Sequence, residues 1–191
     1  MQGNVVQGRI IWRESKRAVP CLLNGIEAGV LSGIAMLALL VSGGWWRGDA
    51  WWIPFNLLGT TLYGARALGA GPGRATLAGG ALHIFITGMF GAAFAVLCGR
   101  IQRRHRLVLI GTLAGLIWNG LADAVLWPKI NPLVPLYAAQ PATLIAHGLF
   151  GACLGFMARS FPPALPTFLS PGLPVAAIAP AEAEQGWDGV K

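Results

Sequence analysis

Four runs of about twenty mostly apolar residues, each closed by charged or turn residues, dictate how this chain can fold. They extend from about Val19 to Ser42, Leu77 to Cys98, Leu107 to Trp127 and Ala138 to Ala158. A helix of that length covers about 30 Å, the hydrocarbon thickness of a bilayer. Composition points the same way. Of 191 residues, 55% are hydrophobic and 11% charged, whereas soluble domains carry about 25% charged residues. Such a chain lacks the polar side chains to cover a water-facing surface. The 27 glycines follow no three-residue period, which excludes collagen, and disorder is excluded over most of the length by its apolarity. The fold class expected is an all-α integral membrane protein with four transmembrane helices, its bundle spanning residues 19–159.

The stretch from Ile53 to Gly64 is apolar but too short to cross, and Pro54 suits a helix start, so a short interfacial helix is expected in the first outer loop. Basic residues set the orientation. Arg9, Arg13, Lys16, Arg17, Arg100, Arg103, Arg104, Arg106 and Arg159 flank one face, against Arg47, Arg66, Arg74 and Lys129 on the other. By the positive-inside rule both termini are expected in the cytoplasm, with the protein in the cell (inner) membrane. Trp45, Trp46, Trp51, Trp52 and Trp127 fall at the opposite ends, where indoles favour the headgroup zone. The basic N-terminal segment 1–18 precedes an apolar run longer than the core of a usual signal peptide and followed by no Ala-x-Ala site, so retention is expected. Residues 160–191 are rich in proline and alanine and are expected to form a disordered cytoplasmic tail. The Arg103–Arg106 cluster is read as a topology and lipid-headgroup signal. The partner expected is the lipid bilayer, with no nucleic acid.

The first pair of runs resembles the second. Gly25, Ala28 and Gly29 precede Gly111, Ala114 and Gly115 by 86 positions, while Gly88, Phe90, Gly91 and Ala92 precede Gly148, Phe150, Gly151 and Ala152 by 60. Two spans per half would make the halves parallel two-helix repeats. Small residues also recur every fourth position: Gly25, Gly29 and Gly33, Gly111 and Gly115, Gly91 with Ala95, and Gly151 and Gly155. In lipid, such faces let helices approach closely and hold a compact bundle together.

Continuing that four-residue stride reaches polar residues. Gly111 and Gly115 lead to Asn119 and Asp123; His83 and Thr87 precede Gly91; Thr143 and His147 precede Gly151. These six side chains are expected to face the bundle interior as a candidate intramembrane polar site. Burying an ionisable group in a membrane is costly, so its presence points to a register-fixing hydrogen bond or to a ligand or proton site. No nucleotide-binding loop, nucleophile elbow or metal-ligand spacing is present. No catalytic residues, metal or cofactor are therefore expected. The function expected is a non-enzymatic structural or assembly component of the membrane, as a homo-oligomer or with a membrane-complex partner. The alternative is a small oligomeric transporter or proton-linked channel using Asp123, His83 and His147. A haem held by the two histidines is a remoter alternative, disfavoured by their one-turn offset.

Overall fold

A computed structural model of the chain describes residues 3–99, 101 and 103–158, with side chains described from residue 19 onward. The expected disordered tail, Arg100 and Arg159, and the side chains of the basic N-terminal segment lie outside the described residues. Among those described, the only regular structure is helical. Helix α1 runs Gly3–Trp46, α2 Ile53–Tyr63, α3 Arg74–Cys98, α4 Arg104–Ile130, α5 Leu133–Tyr137 and α6 Gln140–Met157. Three of them, Val19–Trp46 of α1, α3 and α4, are long and apolar enough to cross a membrane. The fourth expected run forms α6, which is only 18 residues long and opens with Pro141 in its first turn.

Two antiparallel pairs organise the bundle: α1 packs on α3, and α4 on α6. Contact between α1 and α6 joins them, while α3 and α4 make little contact, with the rings of Phe90 and Trp118 meeting between them. The glycine stripes lie at the two pair interfaces. A Cβ placed on Gly29 would strike the Thr87 carbonyl and one on Gly25 the Gly91 carbonyl; Gly33 abuts the Thr87 side chain. In the other pair, Gly111 abuts the Gly151 carbonyl, Gly115 the His147 carbonyl and Gly155 the Leu107 carbonyl. Backbone here meets backbone, an approach that only a residue without a Cβ permits. The outward faces carry exposed Leu77, Leu97, Leu109, Leu113, Ile117 and Ile145, the pattern of helices solvated by lipid.

The expected short helix is present as α2, and it is anchored. Its Gly59 approaches the Ala75 carbonyl of α3, and Gly79 of α3 approaches the Phe55 carbonyl. Polar groups complete the attachment. Thr76 Oγ1 donates to Asn56 Oδ1 at 2.6 Å, and Asn56 Nδ2 donates to the Ala70 carbonyl at 2.8 Å. Asn131, in the turn before α5, donates to Thr60 Oγ1 at 2.6 Å and to Thr61 Oγ1 at 2.9 Å. Asn56, Thr60, Thr76 and Asn131 are all buried, so α2 is pinned to both halves of the chain at the tryptophan-rich end.

Helix α4 widens into a π-helical turn over Ala122–Leu126. Pro128 accounts for it. Proline has no N–H and its ring crowds the carbonyl four residues back, so the helix relieves the strain just ahead of Trp127–Pro128. That turn carries Asp123.

Candidate functional site

All six polar residues singled out in the sequence line one cavity of about 340 Å³. Residue order along each helix explains the convergence. Phe90 of α3 meets Trp118 of α4 with ring centroids 5.7 Å apart and Phe150 of α6 at 5.5 Å, forming an aromatic floor. Helices α3 and α6 run away from the tryptophan-rich end and α4 runs towards it. His83 and Thr87, Asn119 and Asp123, and Thr143 and His147 therefore all fall on the same side of that floor. Met36, Leu37 and Leu40 of α1 and Leu57 and Leu58 of α2 supply apolar wall. The cavity reaches Tyr137 and the Arg47–Asp49 ion pair at its mouth; the pair is 3.2 Å apart, with side chains 51% and 43% exposed. Beyond the floor the helices close on one another through their glycines.

His83, Thr87 and Asn119 are buried, and Asp123, Thr143 and His147 are half-buried. Each histidine commits one ring nitrogen to a backbone carbonyl: His83 Nε2 donates to Gly33 O of α1 at 3.0 Å, and His147 Nδ1 to Thr143 O at 2.8 Å. A carbonyl only accepts, so in the neutral rings His83 Nδ1 and His147 Nε2 remain acceptors. The threonine hydroxyls turn inward to their own helices, Thr87 to His83 O and Thr143 to Gln140 O, both at 2.9 Å. Asn119 Nδ2 donates to Asp123 Oδ2 at 3.1 Å, one helical turn away. Its Oδ1 is buried with no hydrogen-bond partner.

Asp123 thus takes its hydrogen bond from Asn119 on its own helix, and neither histidine bonds to it. The rings are diverted by carbonyls closer to them, although Asp123 stays within electrostatic reach of His147. The predicted packing residues Gly25, Gly29, Gly33, Gly91, Gly111, Gly115, Gly151 and Gly155 all sit at helix contacts beside or below this cavity. Sequence reasoning missed the second polar group of Asn56, Thr60, Thr76 and Asn131. Its only signal was amides and hydroxyls within or next to otherwise apolar segments. The π turn was likewise unforeseen, though Pro128 at the end of the third run was visible.

Chemically, the cavity accepts hydrogen bonds and holds a carboxylate among aromatic and aliphatic walls. Compared with protein-family models, with curated proteins and with solved structures, the chain matches none.

Proposed function

We propose that this protein is a non-enzymatic, four-span membrane protein that takes a small molecule into its interior cavity from the tryptophan-rich face, as a small carrier or transporter. One observation carries the proposal: six polar side chains from three helices border a single space that the protein itself does not fill. A subunit serving only for packing gains nothing from this arrangement, because an unpartnered polar group held away from water costs about 1–3 kcal/mol. An assembly role alone leaves the cavity and the unpartnered Asn119 Oδ1 without a purpose.

The reading of two parallel hairpin repeats is supported by equivalent contacts. Shifting α1 by 86 positions and α3 by 60 carries the Gly29–Thr87 approach onto Gly115–His147, and the Gly25–Gly91 approach onto Gly111–Gly151. Phe90 shifts onto Phe150, and these two rings touch, as residues astride a pseudo-twofold axis should. Under this reading the basic Arg100–Arg106 loop and both termini lie in the cytoplasm and the cavity opens outward. Uptake requires one chain. Delivery to the other side requires the aromatic floor to part, and the seam most able to open is the sparse α3–α4 contact at Phe90 and Trp118.

The test is cysteine accessibility. In a background with Cys21, Cys98 and Cys153 replaced by serine, Ala142→Cys in the cavity wall should react with a membrane-impermeant thiol reagent added outside intact cells. Leu113→Cys, on the lipid face, should not. Failure of Ala142→Cys to react from either side would remove the aqueous cavity and the proposal with it.

A further inference from the structure

Most of the hydrogen bonding left unused in the polar ring is of one kind. The two threonine hydroxyls and one nitrogen of each histidine already donate to backbone carbonyls, and one amide hydrogen of Asn119 is spent on Asp123. What remains is one donor, the second amide hydrogen of Asn119, against several acceptors: Asn119 Oδ1, the second ring nitrogens of His83 and His147, and the lone pairs of Asp123, so a complementary ligand donates most of its hydrogen bonds. Charge narrows the class. Asp123 has a neutral amide as its hydrogen-bond partner, and the cation at the mouth, Arg47, is paired with Asp49. A carboxylate in that position favours a bound positive charge. The walls narrow it again: Phe90, Trp118 and Phe150 give the cavity aromatic lining, suited to a cation with an apolar carbon skeleton. A volume of about 340 Å³ has room for roughly ten water-sized groups, more than a bare inorganic ion needs. Among the described residues no three His, Cys, Asp or Glu side chains come together as metal ligands.

We infer that the cavity binds an organic ammonium ion, its N–H groups donating to Asp123 and to the unpartnered Asn119 Oδ1 and its apolar body lying on the aromatic floor. This rests on the ligand-cavity reading above and adds the substrate class. Two sources share that chemistry, a free arylalkyl amine and the ammonium headgroup of an aminophospholipid entering between α3 and α4.

The experiment uses the purified full chain in detergent, delipidated, with binding measured by isothermal titration. The probes are 2-phenylethylammonium, its N-trimethyl analogue, 2-phenylethanol, phenylacetate and sodium ion. The primary ammonium should bind, and the trimethylated cation, which keeps the charge and loses every N–H, should bind about tenfold or more weakly. Phenylacetate should not bind. Asp123→Asn, which preserves shape, and Asn119→Leu, which removes the orphaned acceptor, should each weaken the ammonium about tenfold or more, with unfolding curves showing both variants folded. Lipid extracted before delipidation separates the sources: stoichiometric aminophospholipid in the parent and its loss in Asp123→Asn identifies the headgroup. Equal binding of the alcohol, the acid or sodium, or an Asp123→Asn affinity equal to the parent's, overturns the ammonium assignment while leaving the cavity reading intact. Binding of no probe, with Ala142→Cys unreactive, overturns both.

Discussion

Gly115→Ala adds one methyl group at the point where α4 and α6 come closest to the polar site. The new Cβ would overlap the His147 carbonyl oxygen, with the His147 carbonyl carbon at 3.2 Å and the Gly151 nitrogen at 3.3 Å. All three of these neighbours are backbone atoms, so no side chain can turn aside; the helices must part by about 1 Å to regain ordinary contact. Overpacking of this kind costs about 1–3 kcal/mol, against which the better helix propensity of alanine returns about 1 kcal/mol. The expected net loss is up to about 2 kcal/mol, in the upper part of that range because the obstructing atoms are backbone. Gly120→Ala is the matched control. It lies five residues further along the same helix with nothing within 4 Å of a built Cβ, so propensity acts alone and stability should hold or rise by up to about 1 kcal/mol. Unfolding both variants by sodium dodecyl sulfate titration of dodecylmaltoside micelles, followed by circular dichroism, reads the difference. Opposite signs are expected. Should Gly115→Ala unfold together with Gly120→Ala, the α4–α6 contact is not made as described, and the placement of His147 beside Asp123 falls with it.

Other substitutions probe other links. Gly29→Leu should disrupt the α1–α3 pair outright, seen as lost helix pairing on mild detergent gels, because its side chain would occupy the space of the Thr87 carbonyl. Asn131→Ala removes the bonds to Thr60 and Thr61 and should cost about 1–3 kcal/mol, with faster amide exchange concentrated in residues 53–63. Asp123→Ala and His147→Ala should combine non-additively by about 0.5 kcal/mol or more in a double-mutant cycle; additive effects would show that the two residues act independently. Reporter fusions at Lys191 and near Gly71 should report opposite sides of the membrane, with the cytoplasmic signal at Lys191; the reverse pattern would invert the topology.

The polar residues could be placed on helix faces from sequence because that placement is a matter of period. Asn119 and Asp123 lie one turn apart, as do His83 and Thr87, and the glycines that continue each row face the partner helix, since only there is the missing Cβ rewarded. The space between those faces was not legible in the same way. Gly25 against Gly91 and Gly111 against Gly151 bring backbones together, whereas Met36, Leu37, Ile86 and Ala142 border open space, and nothing in a linear pattern reports the distance between two helices. The partner of Asp123 was hidden for a related reason. Stride along the helices brought Asp123, His83 and His147 to the same side of the aromatic floor, but each histidine bonds to a main-chain carbonyl, at Gly33 or Thr143, and any residue type supplies one. Helix α2 shows the same limit from the other side. Its existence followed from Pro54 and a dozen apolar residues, whereas its attachment depends on Gly59 and Gly79 fitting against carbonyls on opposite helices, a pairing visible only once both helices are in place. Because Leu57 and Leu58 of that anchored helix line the cavity, the long first loop supplies wall that no pattern within the four apolar runs could have announced.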